Sequence, residues 1–150
     1  MIVSLRETLT MMARLTLEDL LAQSRRGLRR STAAELRVAL QQGRTDLVVL
    51  DTRTPTDRAR HGCIEGSIHA PRTTLEWRVD PTSAAAFDII DGFDQTIVVV
   101  CNQGYSSSLA AATLQQLGFA NATDLVDGMV GWIAAGFPVV PPVGDEIFLG

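Results

Sequence analysis

The chain has 150 residues, of which 46% are hydrophobic and 20% charged, which is typical of one globular domain and not of a disordered or fibrous protein. Its net charge of -4 argues against general binding to nucleic acid or anionic membranes, and no stretch approaches the roughly 20 apolar residues of a membrane span. All 13 basic residues are arginine, so lysine is excluded as a base or Schiff-base former.

Residues 1–30 are locally basic, with Arg6, Arg14, Arg25, Arg26, Arg29 and Arg30, and Leu17, Leu20, Leu21 and Leu28 recur at roughly helical spacing. We therefore predict an N-terminal helical extension over 1–27. It either packs on the domain, forms a loosely ordered leader, or docks a partner. Arg6, Glu7 and Arg14 interrupt any apolar core of a secretion signal. Since the 2 cysteines are also too few for a disulfide framework, we expect reduced thiols and a cytoplasmic location.

The first clear helix signal of the domain follows this extension. Thr32 with Glu35 resembles a capping box that opens a helix through Gln41, and Gly43 would end it. Further helices are predicted over Ser106–Leu117 and Met129–Ala135, since each pattern stops at a glycine.

Two fully apolar runs, Leu47–Leu50 and Ile97–Val100, predict strands covered on both faces, as in parallel sheets. Shorter strands are predicted near Leu28–Ser31, Ser67–His69 and Thr123–Val126. Alternating strands and helices predict an α/β fold over 28–140, with a mainly parallel sheet of about five strands and helices on both faces. Residues 141–150 are expected to form an extended C-terminal tail.

Asp51 and Cys101 each follow one of the long apolar strands. Parallel sheets gather their binding sites at the carboxyl ends of the strands, so both residues are candidates for a site. The loop after Cys101 contains Gly104 and leads into a serine-rich helix. Such a loop can turn several backbone N–H groups toward one point, next to the positive end of the helix.

Cys101 is therefore predicted to be a nucleophilic thiolate rather than a packed core residue. The surrounding donors would lower its pKa from about 8.5 toward neutrality. Ser106 or Ser107 is expected to cap the helix and also to donate to the sulfur. The predicted cradle consists of Asn102, Gln103, Gly104, Tyr105, Ser106 and Ser107.

Several short motifs between residues 28 and 140 resemble, in the same order along the chain, those of the rhodanese-like sulfurtransferases. Cys101 to Ser107 fits the family's loop of cysteine, two variable residues, glycine, one variable residue, arginine or serine, and serine or threonine. The other matches are Asp51-Thr52-Arg53, Gly62-Cys63-Ile64-Glu65-Gly66-Ser67 with Pro71, Asp127-Gly128 with Trp132, and Gly136-Phe137-Pro138. The chain departs from the family in having Cys63 for histidine, Glu65 for proline and Asp127 for glycine.

The resemblance implies a three-layer α/β/α fold and a double-displacement reaction. Cys101 would take sulfane sulfur from a donor such as thiosulfate, hold it as a persulfide, and pass it to a thiol or cyanide. Arg72 and Arg78 are candidate contacts for the substrate anion, with Arg53 less favoured, and Asp51 is expected to be a structural support. No cofactor or metal is implied, and a protein persulfide is a further candidate partner.

Other functions are compatible with parts of the sequence. A non-catalytic interaction module could keep the fold, and a cysteine phosphatase or an arsenate reductase could share the scaffold. The phosphatase needs a cysteine, five residues and then an arginine that grips phosphate, whereas Ser107 stands at that position. A metal site of His61, Cys63 and His69 is disfavoured because it lacks a fourth ligand. Cys63 could resolve an oxidised Cys101, or simply pack. The sequence leaves the oligomeric state open.

Overall fold

The computed structural model describes residues 2–8 and 14–144. In this part of the chain a four-stranded parallel sheet has the order β2-β1-β3-β4. The strands are β1 Leu47–Asp51, β2 Ile68–His69, β3 Thr96–Val100 and β4 Ala122–Asp124. The helices are α1 Leu17–Arg25, α2 Ala33–Gln41, α3 Pro55–His61, α4 Leu75–Val79, α5 Ser106–Gln116 and α6 Gly128–Ala134.

The two central strands are buried on both faces, as their apolar sequences predict. β1 and β3 pair in register from Leu47 opposite Thr96 to Asp51 opposite Val100. Successive side chains point to opposite faces, so each strand contributes to two hydrophobic clusters. One cluster joins strand residues to α4 and α5, and its members include Val48, Leu50, Ile97, Val99, Leu75, Val79, Ala110, Leu114 and Phe119. The other joins them to α2 and α6, and it includes Val49, Val98, Val100, Leu36, Ile64, Leu125, Met129 and Trp132. The predicted three-layer α/β fold is thus confirmed.

The fifth strand that the sequence predicts near 28–31 is reduced to one bridge. Ser31 N–H donates to the Asp124 carbonyl at 2.9 Å, and Val126 N–H donates to the Ser31 carbonyl at 2.8 Å. The segment cannot continue along β4 because Thr32 is already the N-cap of α2. The other two short strands lie within a residue or two of their predicted positions.

Helix boundaries follow local capping chemistry. Thr32 Oγ1 accepts from Glu35 N–H at 3.1 Å, as predicted. The second bond of a capping box would run from the backbone N–H of Thr32 to the Glu35 carboxylate. Here the Thr32 hydroxyl donates to that carboxylate instead, at 2.9 Å. A complete capping box lies instead at α1, where Thr16 and Asp19 exchange both bonds. The predicted helices of the C-terminal half are confirmed as α5 and α6, with ends one residue earlier than predicted.

Two short helices, α3 and α4, were not predicted. α3 begins with Pro55 behind the cap residue Thr54, whose Oγ1 accepts from Asp57 N–H at 3.1 Å. α4 has 5 residues and buries Leu75 and Val79. Their lengths are too small for a helical period to show in the sequence.

The N-terminal extension lies partly outside the described residues, as do the last six positions of the predicted tail. The part that is described contains α1, while the domain division at residues 27, 28, 140 and 141 stays a prediction. No helix among the described residues is long and apolar enough to cross a membrane.

Candidate active site

Cys101 follows β3 directly, and a tight loop connects it to α5. Its side chain is buried, with 7% of the residue exposed. Gly104 N–H donates to Cys101 Sγ at 3.1 Å. Gly104 has a φ of +80°, and a Cβ there would lie 2.7 Å from Asp127 N, so the loop geometry requires glycine.

The Ser107 hydroxyl provides a second contact to the sulfur. Cys101 Sγ and Ser107 Oγ are 3.2 Å apart. The expectation that Ser106 or Ser107 caps α5 is wrong, because the N-cap is Tyr105 and it makes no side-chain capping bond. Both serines lie inside the first turn, where the Ser107 side chain turns toward the sheet and not toward the free N–H groups of the helix.

The surroundings of Cys101 act on its pKa in opposite directions. Burial raises the pKa of the thiol, while hydrogen bonds from Ser107, Ser106 and Gly104 lower it, and the hydrogen bonds outweigh burial. The pKa of Cys101 therefore lies below that of an ordinary cysteine. This arrangement favours the nucleophilic thiolate form.

A buried carboxylate, Asp124, lies behind Ser107 and was not anticipated from the sequence. It accepts hydrogen bonds from the Ser107 and Ser108 hydroxyls, each at 2.8 Å. The Arg30 guanidinium pairs with it through Nε at 2.8 Å and Nη2 at 3.2 Å. No signal for it was available in the sequence, because the strand was predicted near Thr123–Val126 and Asp124 would then lie near its start, whereas β4 ends at Asp124.

Cys101 opens into a cavity of about 350 Å³ at the carboxyl ends of β1 and β3. The predicted loop residues Asn102, Gln103, Tyr105 and Ser106 line it, whereas Gly104 and Ser107 contact the sulfur from behind. The remaining lining residues are Thr52, Arg53, Thr54, Asp57 and Arg72.

Two of the three candidate arginines line this cavity. Arg53 is buried, and its Nη1 has no hydrogen-bond partner among the described residues, while Nε and Nη2 donate to Asp51 at 3.0 and 2.8 Å. Arg72 has 39% of its side chain exposed and pairs with Glu76 at 2.6 Å. Arg78 does not line the cavity. Its guanidinium lies 4.0 Å from the centre of the Phe87 ring and donates to the Ala85 carbonyl at 2.5 Å.

Asp51 lies beside the cavity without lining it. Its carboxylate is buried between Arg53 and Arg58, and Arg58 Nη1 donates to it at 2.7 Å. It also accepts from Arg53 N–H at 3.1 Å. This carboxylate therefore fixes the backbone and the side chain of an arginine that lines the cavity.

The cavity mouth also carries a negative charge. Asn102 Nδ2 donates to Asp57 Oδ2 at 3.0 Å, and this bond is the largest cause of the lowered pKa of Asp57. Asp57 is therefore ionised at neutral pH. The mouth combines this carboxylate with the Arg72 guanidinium, so it is not uniformly cationic.

Cys63 lies in a different cavity, lined also by Glu65 and His69. Cys63 and Cys101 are not joined in a disulfide, and Cys63 exchanges two backbone hydrogen bonds of 2.8 Å with Val140. His69 Nε2 is 2.8 Å from the Arg53 carbonyl oxygen. No three His, Cys, Asp or Glu residues in the described ranges form a group that could hold a metal ion, and the His61, Cys63 and His69 set does not do so.

Comparison with known sequences gives a family and related proteins. Residues 32–135 match the family described as Rhodanese-like domain. A sulfurtransferase from Allochromatium vinosum is 28% identical over 66% of this chain and 83% of its own length. An adenylyltransferase and sulfurtransferase from Zea mays is 30% identical over 73% of this chain, which spans only 23% of that longer protein.

Solved structures share the fold. A protein of unknown function from Rhodopseudomonas palustris, described as a possible tyrosine phosphatase, is 30% identical with a TM-score of 0.78, covering 84% of this chain and 95% of its own. A rhodanese-related protein from Thermoplasma volcanium is 32% identical with a TM-score of 0.59, covering 75% of this chain and 97% of its own.

Proposed function

The chain belongs to the rhodanese-like domain family, and on this basis we propose that it is a sulfurtransferase that carries sulfane sulfur as a persulfide on Cys101. The observation that carries the proposal is the environment of the sulfur. Gly104 N–H and the Ser107 hydroxyl lie within 3.1 and 3.2 Å of Cys101 Sγ, and the pKa of the thiol is lowered. A thiolate held in this way is a nucleophile at neutral pH.

In the first step the Cys101 thiolate attacks the outer sulfur of a donor such as thiosulfate. A bond forms between the two sulfurs as the sulfur–sulfur bond of thiosulfate breaks, and sulfite leaves with the bonding electron pair. The product is the Cys101 persulfide anion. Gly104 N–H, already directed at the sulfur, can continue to donate to this anion, which limits the reorganisation that the step requires.

In the second step a nucleophile takes the terminal sulfur. Cyanide attacks it, thiocyanate forms, and the electrons of the sulfur–sulfur bond return to Cys101 as a thiolate. A thiolate acceptor reacts in the same way and becomes a persulfide. The charge balances in each step, so no oxidant, cofactor or metal is required.

Arg53 and Arg72 are the proposed contacts for an anionic donor. Nη1 of the buried Arg53, which has no partner in the part of the chain that the structure describes, is a hydrogen-bond donor beside the cavity, and the Arg72 guanidinium is partly exposed at its rim. Arg53 thus has more support as a contact for the substrate anion than the sequence suggested, where it was less favoured than Arg72 and Arg78. Arg78 has less, because it does not line the cavity.

The acceptor is proposed to be a small thiol, cyanide or a protein-borne thiol. Tyr105 is 57% exposed at the cavity, so the mouth is accessible to a larger partner. The Zea mays relative is named for adenylyltransferase and sulfurtransferase activities, which supports sulfur transfer as the reaction. We propose a cytoplasmic location, in keeping with two cysteines that are not joined in a disulfide.

A cysteine phosphatase is the second candidate, since the Rhodopseudomonas palustris structure is described as a possible tyrosine phosphatase. That reaction uses an arginine in the loop to grip the phosphate oxygens. Here Ser107 takes that position, with its hydroxyl 2.8 Å from the Asp124 carboxylate. Ser107 cannot supply the bidentate guanidinium that a phosphate dianion needs at this position, so sulfur transfer has the stronger support.

A paired assay separates these functions. The protein is incubated with thiosulfate and cyanide while thiocyanate is measured, and separately with p-nitrophenyl phosphate while phenolate release is measured. Thiocyanate formation that disappears in the Cys101→Ser variant supports sulfur transfer. Phosphate ester hydrolysis without thiocyanate would support the phosphatase. Failure of both, repeated with glutathione persulfide as the donor, would favour a non-catalytic interaction module.

A further inference from the structure

Two arginines from the N-terminal segment reach the loop that holds Cys101. Arg25 is the last residue of α1, and its Nη2 donates to the Gly104 carbonyl at 2.8 Å. Arg30 Nη2 donates to the same oxygen at 2.9 Å. Both arginines precede residues 32–135, which match the family, so they belong to the part of the chain that lies outside the family match.

We propose that Arg25 is a positioning residue, through which helix α1 supports the Cys101 thiolate. The Gly104 carbonyl is held from one side by Arg25 and Arg30, while the N–H of the same residue donates to Cys101 Sγ at 3.1 Å. Fixing the carbonyl therefore limits rotation of the residue that supplies the backbone donor. The Arg25 guanidinium also lies 5.9 Å from the centre of the Tyr105 ring, next to this glycine.

Arg25 further determines where the Ser108 proton goes. Its Nε donates to Ser108 Oγ at 2.9 Å, and an arginine can only donate, so Ser108 must direct its own proton elsewhere. Two acceptors are in reach, the Asp124 carboxylate at 2.8 Å and the Gly104 carbonyl at 3.4 Å. The shorter contact to a charged acceptor is the stronger one. Ser108 therefore donates to Asp124.

The direction of this bond bears on Ser107, whose single proton has two acceptors. Ser107 Oγ lies 2.8 Å from Asp124 Oδ2 and 3.2 Å from Cys101 Sγ. When the thiolate forms, the Ser107 hydroxyl can donate to the sulfur only by giving up its hydrogen bond to Asp124. The buried Asp124 carboxylate must then be satisfied by other donors. Ser108 and Arg30 are those donors, so a fixed Ser108 leaves Ser107 available to the sulfur.

Other charged groups also face this network. Asp124 and Arg30 lie behind the loop, and Arg53, Asp57 and Arg72 line the cavity in front of it. Arg25 differs from these five because it contacts the Gly104 carbonyl and the Ser108 hydroxyl at the same time. Its planar guanidinium suits two separate acceptors, which a lysine ammonium could not satisfy in the same geometry.

The test measures the pH dependence of Cys101 alkylation by iodoacetamide, with the modified site identified by peptide mass spectrometry. The variants are Arg25→Gln, Arg25→Lys and Arg26→Gln, all in the full chain. Arg26 is the matched control, because it is the neighbouring arginine and follows α1 as its C-cap. The thermal unfolding midpoint of each variant is recorded as well.

We expect Arg25→Gln to shift the alkylation profile to higher pH, with roughly three- to tenfold less thiolate at pH 7. Arg25→Lys should give an intermediate shift, and Arg26→Gln should match the unmodified protein. An unchanged profile in Arg25→Gln, with only a lower unfolding midpoint, would reduce Arg25 to a packing role. Equal shifts in Arg25→Gln and Arg26→Gln would assign the effect to net charge and overturn the proposal.

The proposal rests on Cys101 being the reactive thiol of the proposed function, but its readout does not depend on sulfur transfer. If no donor delivers sulfur while Arg25→Gln still shifts the profile, the proposed function fails and the positioning role stands. If sulfur transfer proceeds in all the variants with unshifted profiles, the positioning role fails alone.

Discussion

The hydroxyl oxygen of Ser107 lies 3.2 Å from the sulfur of Cys101, although the two residues belong to different elements. Cys101 follows β3, and Ser107 lies in the first turn of α5. The strand and helix are joined by a loop that needs Gly104 at a φ of +80°. This contact joins the geometry of the loop to the chemistry of the thiol.

Replacing Ser107 by alanine is expected to raise the pKa of Cys101, since the strongest of the hydrogen bonds that oppose the effect of burial is lost. The fraction of thiolate at pH 7, and with it the rate of alkylation, should fall by roughly two- to tenfold. Asp124 also loses a donor, which should cost about 1 kcal/mol of unfolding free energy. The measurement is the rate of Cys101 alkylation against pH.

Thr113→Ala is the control for that variant. Thr113 lies in the same helix, and its hydroxyl donates to the Leu109 carbonyl of its own helix at 3.1 Å. It should leave the alkylation profile unchanged. If Ser107→Ala behaves like Thr113→Ala, the hydroxyl has no electrostatic role at the sulfur.

Gly104→Ala is expected to abolish sulfur transfer, with a loss on the order of a hundredfold or more from displaced donors. A Cβ would lie 2.7 Å from Asp127 N and 3.0 Å from the Leu125 carbonyl oxygen, both backbone atoms. Gly66→Ala is the matched control, since Gly66 has a φ of +81° and open space around it. It should cost about 1–2 kcal/mol of stability and retain transfer. Equal activities in the two variants would contradict this account of the loop.

Arg72→Gln should weaken binding of an anionic donor while leaving the fold unchanged, because 39% of the Arg72 side chain is exposed. We expect the KM for thiosulfate to rise roughly three- to tenfold, equivalent to about 1 kcal/mol. Arg60→Gln removes an exposed arginine that does not line the cavity and serves as the control. A KM unchanged by Arg72→Gln would leave Arg53 as the remaining candidate among the predicted arginines.

The lowered pKa of Cys101 also makes a prediction about stability. Because the folded pKa lies below the unfolded value, ionisation of Cys101 stabilises the fold fully above the unfolded pKa of about 8.5, and this contribution is lost as pH falls through the folded pKa. The difference in unfolding free energy between the protein and Cys101→Ser should therefore move in favour of the protein as pH rises across this window. Urea unfolding at several pH values measures it, and a difference independent of pH would contradict the lowered pKa.

The layers of the fold could be predicted from the sequence because β1 and β3 are apolar at most positions. Strands of this kind need cover on both faces, and a parallel sheet with helices on each side provides it. The position of Cys101 directly after β3 then predicts a binding site at the carboxyl ends of the strands, without knowledge of any side-chain contact. Gly104 indicated a tight loop, because glycine readily adopts the positive φ that such a loop requires and most other residues do not.

The supporting contacts could not be predicted, since they join residues distant in sequence. Arg25 and Gly104 are 79 positions apart, and Ser107 and Asp124 are 17 apart. Nothing local distinguishes Arg25 from the neighbouring Arg26. The sequence likewise does not show which of the candidate arginines line the cavity. The Arg78 guanidinium lies against the Phe87 ring and not at the cavity, and only the folded chain shows this.

The most direct test is intact-mass spectrometry of the native protein after incubation with thiosulfate, beside Cys101→Ser and Cys63→Ser. We predict a gain of one sulfur atom, about 32 Da, in the protein and in Cys63→Ser, lost again on addition of cyanide and absent from Cys101→Ser. A gain that persists in Cys101→Ser, or that is absent from Cys63→Ser, would contradict the assignment of the persulfide to Cys101.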